Sequence, residues 1–336
     1  MEDLSAKFCL GIESTAHTFG AGIVNFRGDV LAVVNDTFVP DQGGLHPREV
    51  AEHHAQNFPN VLRRALEDAN LAWSDLNLIA FSQGPGLGPC LRVGATVARA
   101  LHFTLKLPLV GVNHCIAHVE IGRLACNVDD PLTLYVSGGN TIVSAFEEGR
   151  YRIFGETLDL AVGNMIDMFA RAVDLPHPGG PKVEKLASES SHFIPLPYVV
   201  KGMDLSFSGL LTAAKNALEA GEALPDVAFS LQEVAFAMLT EVTERALAHT
   251  KKGDVLLTGG VAANRRLQEM IEWIAGNQAA NFHVVPLQLA GDNGAMIAWA
   301  GVEQFLATGP MDVSKTAINP KVRMDEVPIP WRAAAQ

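Results

Sequence analysis

KFCLGIE at residues 7–13, GAGIVNF at 20–26 and VLAVVND at 30–36 are three short apolar runs, joined by the polar turns Ser14-Thr15-Ala16-His17-Thr18 and Arg27-Gly28-Asp29. Their spacing predicts a three-stranded meander with tight turns. Residues 132–156 repeat the plan as LTLYVSG, the turn Gly138-Gly139-Asn140-Thr141, IVSAFEE, the turn Gly149-Arg150 and YRIFGE. Self-similarity of this kind marks an internal duplication, here of an α/β unit. The expected halves are residues 1–126, completed by 296–336, and residues 127–295. In each half the turn after the first strand can present backbone N–H groups to a phosphate, although Gly and Ser also fill ordinary hairpins. That both halves carry such a turn favours a shared ligand.

Outward from the meanders, LIAFSQ (78–83) and LPLVGVN (107–113) read as strands flanking a helix over CLRVGATVARALHFTL (90–105). The turn GPGLGP (84–89) lacks the lysine of a phosphate-binding P-loop, so as a nucleotide motif it is weak. The strand 107–113 delivers Asn113-His114-Cys115-Ile116-Ala117-His118-Val119-Glu120. Positions i and i+4 of a helix share a face, so His114 and His118 can aim two imidazoles at one ion. Imidazole is a common ligand for Zn, Fe, Cu and Ni. Such a site needs a further protein ligand and an open position. Asp292, at a strand-to-helix turn in Gln288-Leu289-Ala290-Gly291-Asp292-Asn293-Gly294, is the best third ligand, with helix capping as its alternative role. His46, His53 and His54 form a second cluster that reads as a solvated or hydrogen-bonded helix face.

The 336 residues are 48% hydrophobic and 18% charged, enough for two packed cores. No apolar run approaches the ~20 residues of a membrane span, so no membrane role is expected. The start Met1-Glu2-Asp3, followed at once by a strand, carries no signal pattern. Cys9, Cys90, Cys115 and Cys126 show no CxxC spacing and read as reduced, buried thiols, which points to the cytoplasm, or also the nucleus for a eukaryotic source. The formal net charge is −12, from 25 basic and 37 acidic residues. Phosphate contacts dominate nucleic-acid affinity, so a chain this acidic needs another subunit to supply positive surface if its substrate is a nucleic acid.

In the second half, TLDLAVGNMIDMFARAVDL (157–175) predicts a helix containing Asp167, and Pro178-Gly179-Gly180-Pro181 enters another containing Glu184. Either carboxylate can accept two hydrogen bonds from the vicinal diol of a ribose. VLLTGG (255–260) is a buried strand ending in two glycines before a helix that opens near Asn264, the arrangement by which α/β folds bring backbone close to a nucleotide. MDLSFSGLLT (203–212) fits no periodicity, and the proline-containing tail from Asn319 reads as irregular.

Together GIESTAHT (11–18), GGLHPREVAEHHA (43–55), AFSQGPGLGP (80–89), GVNHCIAHVE (111–120), YVSGGNT (135–141), GETLDLAVGNMID (155–167), PGGPKVEKLA (178–187), MDLSFSGLLTA (203–213), TGGVAAN (258–264) and DNGAMIA (292–298) resemble the TsaD family in its archaeal and eukaryotic branch, the catalytic subunit of the KEOPS complex, formerly labelled O-sialoglycoprotein endopeptidase. The resemblance implies the actin-like fold of sugar kinases and heat-shock ATPases, with two ribonuclease-H-like lobes around a nucleotide cleft. It implies metal-assisted transfer of a threonylcarbamoyl group from threonylcarbamoyl-AMP to the tRNA adenosine 3′ of the anticodon. By the same resemblance His114, His118 and Asp292 hold one divalent ion, Fe(II) with Zn as the alternative, and Tyr135 reaches both metal and substrate. Tyr135 and Asp292 are thus the expected catalytic residues. Val136, Ser137, Gly138 and Gly139 are expected at the phosphates, Asp167, Gly180 and Glu184 around the ribose, and Asn264 at the base or a phosphate. The implied partners are tRNA, a small kinase-like ATPase and small dimerising subunits, with threonylcarbamoyl-AMP, ATP or AMP in the cleft.

The sequence departs from the family pattern at Ala290, where a Cys is common, and at Ser14, where close relatives often have Gly. A metallopeptidase needs Glu directly after the first helical His, and Cys115 stands there instead. An ATPase or small-molecule kinase of the same fold stays open as the alternative, with Glu13 as its carboxylate base. His17 or His46 is available to assist proton movement.

Overall fold

The computed structural model describes residues 3–40, 44 and 46–333. Gly43 and Leu45 of the 43–55 motif, and Met1 and Glu2, lie outside them. In chain order the strands are β1 (Phe8–Glu13), β2 (Thr18–Asn25), β3 (Val30–Thr37), β4 (Leu76–Gly84), β5 (Leu109–Asn113), β6 (Leu132–Val136), β7 (Thr141–Glu147), β8 (Arg150–Glu156), β9 (Val200–Lys201), β10 (Asp204–Leu205), β11 (Asp254–Thr258) and β12 (Asn281–Val284). The helices are α1 (Pro47–Ala69), α2 (Gly88–Leu105), α3 (His114–Cys126), α4 (Val162–Ala172), α5 (Gly180–Ala187), α6 (Ser208–Glu219), α7 (Leu224–Thr250), α8 (Arg265–Asn277), α9 (Leu287–Ala290), α10 (Gly294–Thr308) and α11 (Pro330–Ala333).

The chain divides into two compact units. One comprises Met1–Ala125, Glu147–Tyr151 and Asp292–Gln336, the other Cys126–Phe146 and Arg152–Gly291. The first is built on a sheet of order β3-β2-β1-β4-β5, with β1 antiparallel to β2 and parallel to β4. The other sheet, order β12-β11-β6-β7-β8, repeats this plan: β6 is antiparallel to β7 and parallel to β11, which is parallel to β12. The duplicated meander therefore extends to a duplicated five-stranded sheet. Strands β1 and β2 are almost wholly buried, as expected of a sheet covered on both faces, which is why they read as continuous apolar runs.

Helix α10 packs on the first sheet at backbone distance. A Cβ on Gly294 would lie 2.1 Å from the backbone nitrogen of Gly22, and one on Gly11 would lie 2.1 Å from the Gly294 carbonyl oxygen. Neither partner is a side chain that can swing away. Gly294→Ala is expected to cost roughly 1–3 kcal/mol of stability through overpacking, read as a lowered urea midpoint at unchanged slope. A midpoint equal to that of the parent would show that α10 can lift off the sheet at no cost.

The tail expected to be irregular ends in α11, fixed by buried polar contacts. Trp331 Nε1 donates to Glu120 Oε1 (3.1 Å), Tyr151 Oη donates to the same oxygen (2.7 Å), and Arg332 Nη1 donates to Tyr151 Oη (3.3 Å). Arg123 closes the cluster by pairing with Glu120. A fully buried carboxylate such as Glu120 is tolerated only when paired and hydrogen-bonded in this way.

In the second unit the helix expected over 157–175 begins only at Val162, because Asp159 shapes the preceding turn. Asp159 accepts from Ser206 Oγ (2.6 Å), Ser208 Oγ (2.6 Å), Phe207 N (2.8 Å) and Ser208 N (3.1 Å), satisfying amides at the start of α6. This explains MDLSFSGLLT, whose serines and amides answer to a carboxylate nearly fifty residues away rather than to a periodic core. Burial opposes ionisation of Asp159, but these hydroxyls and amides outweigh it and hold the carboxyl well below the usual range. A depressed folded pKa stabilises the fold at pH values above the ordinary ~3.9, and that stabilisation is lost as pH falls further. Asp159→Asn is expected to cost roughly 0.5–2 kcal/mol at neutral pH, as loss of a capping acceptor does, and to flatten stability against pH below about 4. Urea midpoints across pH 2.5–7 would check both; parallel curves for variant and parent would remove the carboxylate from this account.

Candidate functional site

A group of side chains able to hold a metal ion lies in the first unit, with His114 and His118 buried and Asp292 half-buried. Asn113, the last residue of β5, caps α3 by accepting from Cys115 N (3.0 Å) and Ile116 N (3.2 Å). That cap starts the helix at His114 and places His118 one turn on, with ring centroids 4.8 Å apart. Asp292 is held from another direction. Its neighbour Asn293 caps α10 by accepting from Met296 N (2.9 Å), and Asn35 Nδ2 donates to the Asp292 carbonyl (3.2 Å). Asp292 Oδ1 then lies 3.2 Å from His118 Nε2 and 3.5 Å from His114 Nε2. One donor atom from each of the three residues falls within 4.8 Å of the others, the only such His/Cys/Asp/Glu group among the described residues.

Behind His114 stands Glu13, fully buried at the end of β1. Its Oε2 lies 2.9 Å from His114 Nδ1, and its Oε1 accepts from Thr15 N (2.6 Å). Thr15 Oγ1 lies 3.3 Å from the same ring nitrogen. With Nδ1–H turned to a carboxylate, Nε2 is the atom offered toward His118 and Asp292, the usual way a protein fixes the tautomer of a ligating histidine. Burial disfavours a charged His114, but the Glu13 and Asp292 carboxylates outweigh it and raise the ring to about 9. Burial dominates at His118 and lowers its pKa. Asp292 is half-buried, and although desolvation opposes its ionisation the two imidazoles hold its carboxyl well below the usual range. These influences favour an ionised Asp292, a neutral His118 and a proton on His114, a proton that a bound cation would displace.

Sequence reasoning had found the two imidazoles and Asp292 but had given Glu13 only a catalytic-base role. The signal available was its place at the end of the first strand, beside the polar turn. Cys115, between the histidines, is buried with its thiol pushed up to about 12, first by burial and then by Asp292 and Glu13; it stays out of the donor group. His53 pairs with Asp36, and His54 Nε2 lies 2.9 Å from the Ala16 carbonyl, so this pair of the second cluster serves the packing of α1. His17 is half-buried and near enough to bias Asp292 electrostatically, whereas His46 stands at the start of α1 without a capping bond from its side chain.

The other expected contacts lie in the second unit. Tyr135 and Val136 end β6 and are buried, and Tyr135 Oη accepts from Ser137 Oγ (3.3 Å) and Asn140 Nδ2 (3.5 Å). Gly138 and Gly139 face open space, and Gly163 N at the start of α4 donates to the Ser137 carbonyl (3.2 Å), so a glycine turn abuts a helix N-terminus. Asp167 Oδ1 accepts from Gly179 N (2.8 Å), next to Gly180 at the head of α5. Glu184 Oε1 accepts from Arg265 N (2.8 Å), and Asn264 caps α8 by accepting from Arg266 N (3.0 Å) and Leu267 N (3.2 Å) while donating to Gln232 Oε1 (2.9 Å). Asp167 thus ties α4 to the turn before α5, and Glu184 ties α5 to the start of α8 that Asn264 caps.

The family described as TsaD, tRNA N6-adenosine threonylcarbamoyltransferase, matches residues 30–299. The chain is 56% identical over 335 residues to the tRNA N6-adenosine threonylcarbamoyltransferase of Methanopyrus kandleri, covering 97% of this chain and 96% of that protein. It is also 56% identical to the probable bifunctional tRNA threonylcarbamoyladenosine biosynthesis protein of Methanothermobacter thermautotrophicus, over 96% of this chain but only 60% of that longer protein. Among solved structures, HypF from T. kodakarensis superposes with a TM-score of 0.64 at 17% identity, over 91% of this chain and 48% of that one. That likeness concerns the fold alone, the actin-like α/β architecture of sugar kinases and heat-shock ATPases. By sequence, the chain belongs to the TsaD family, the tRNA N6-adenosine threonylcarbamoyltransferases.

Proposed function

We propose that the chain moves a threonylcarbamoyl group from threonylcarbamoyl-AMP to the N6 amine of the tRNA adenosine 3′ of the anticodon, with one divalent ion held by His114, His118 and Asp292. The observation that carries this reading is the buried pair of imidazoles closing on Asp292, with Glu13 fixing the tautomer of His114. Two nitrogens and a carboxylate oxygen suit Fe(II) or Zn, and Fe(II) follows the family resemblance. Held by His114, His118 and Asp292, such an ion would supply Lewis-acid polarisation and charge stabilisation for the transfer.

The remaining work falls to the chain's own groups. The Ser137-Gly138-Gly139 turn, against the N-terminus of α4, offers N–H groups and a positive helix end to phosphate. Glu184 spends one carboxylate oxygen on Arg265 N and keeps the other for a ribose diol, and Asp167 is placed likewise beside Gly180. The Tyr135 phenol is the proposed substrate contact of this unit, and Asn264 a base-side or phosphate contact. An aromatic amine is already neutral with a usable lone pair, so positioning rather than deprotonation is the demand on these residues. We further place the reaction in the cytoplasm, with a KEOPS-type assembly of a small kinase-like ATPase and small dimerising subunits. Among the described residues no helix is long and apolar enough to cross a membrane.

Incubation with those subunits, threonylcarbamoyl-AMP and unmodified tRNA, followed by mass spectrometry of the nucleosides, tests the reading. Threonylcarbamoyladenosine is expected to form without added ATP once the donor is supplied. ATP turnover with no modified nucleoside would favour the kinase or ATPase reading instead.

A further inference from the structure

A surface groove of about 470 Å³ runs between α7 and α8 of the second unit, and none of the residues assigned above lines it, although Arg266 in its wall donates its backbone N–H to Asn264. Its walls are two stripes at helical spacing, including Glu241 and Glu244 on α7 and Arg266, Glu269, Met270 and Trp273 on α8. Trp273 leaves 66% of its surface in solvent, an unusual cost for so large an apolar side chain. The charges around it are unbalanced. Arg266 is committed to Glu233 through two bonds (2.7 and 2.8 Å) and reaches Glu269 at 3.3 Å, while Arg245 pairs with Glu241, to which Tyr198 also donates. Four carboxylates, counting Glu244, thus face two guanidiniums that already have partners.

We propose that this groove docks an amphipathic helix of a partner protein, which sets an apolar side chain against Trp273 and Met270 and Lys or Arg against Glu244 and Glu269. A trough between two helices accepts a third by the same ridge-and-groove packing that joins the first two. Trp is among the residues most enriched as anchors of protein interfaces. Charge selects the occupant: phosphate would be repelled, and a second copy would bring another net −12 to an acidic surface. The argument is independent of the transfer chemistry, and so is its test.

A fluorescein-labelled 18-residue peptide of Leu and Lys in helical amphipathic order, its Leu–Glu counterpart and a scrambled Leu–Lys peptide would be titrated into the full chain by anisotropy. The ordered basic peptide is expected to bind at least about tenfold more tightly than either control. Trp273→Ala and the double change Glu244→Lys, Glu269→Lys should each weaken it by about tenfold or more. The double change Glu67→Lys, Asp68→Lys on exposed positions of α1 makes the same shift in net charge and should leave binding within about twofold. Equal weakening by the α1 pair, or no effect of Trp273→Ala, would overturn the proposal. So would self-association of the chain that Trp273→Ala abolishes, since the occupant would then be a second copy.

Discussion

Replacing Asp292 with alanine is expected to reduce bound divalent metal from about one ion per chain to background and to lower the yield of threonylcarbamoyladenosine by about 100-fold or more. The magnitude follows from the several kcal/mol that a Lewis acid contributes to charge stabilisation, at about 1.4 kcal/mol per tenfold. Asp292 is the one oxygen donor of the three-residue group, and two imidazoles alone leave a divalent ion short of protein ligands. The side chain precedes the Asn293 cap rather than forming it, so truncation should leave α10 and the overall stability nearly intact. Elemental analysis and nucleoside mass spectrometry of the same preparation check the two effects together. Full activity in a preparation containing no metal would remove the ion from the mechanism.

Glu13→Gln is expected to weaken metal binding by about 10–100-fold, the usual cost of removing the group that orients a ligating histidine. Glu13 divides its two oxygens between Thr15 N and His114 Nδ1. A glutamine keeps only one acceptor oxygen, so one of these bonds is lost or His114 meets an amide N–H in the wrong sense. Competition against a chelator of known affinity measures the loss. If metal affinity were unchanged while an ATP hydrolysis activity disappeared, Glu13 would be a catalytic base and the kinase reading would prevail. The two variants therefore probe the same centre from opposite sides, one through a donor and one through the group that aims a donor.

What could be read from the residues follows the range over which the physics acts. Strand alternation, turn glycines and the i, i+4 spacing of His114 and His118 are local, and they yielded the duplicated meanders, most of the long helices and the imidazole pair. Asp292 was legible because a carboxylate just ahead of Asn-Gly at a strand-to-helix turn has few directions to point. The contact of Glu13 with His114 was not legible because the two lie 101 residues apart, and no local pattern records that a buried carboxylate has a histidine behind it. Asp159 was missed for the same reason, as its partners at Ser206, Phe207 and Ser208 show no periodicity of their own. The tail was read as irregular because its prolines are visible in sequence, whereas the Glu120 and Tyr151 side chains that anchor Trp331 and Arg332 are not.

The unit holding the histidines is assembled from three separated pieces of chain, and its last piece begins with Asp292. His118 and Asp292 are 174 positions apart, and every residue of the other unit is translated before that aspartate. The three donors therefore coexist only once the whole of the other unit has been made. A chain halted before residue 292 holds both imidazoles but lacks the carboxylate that completes the group.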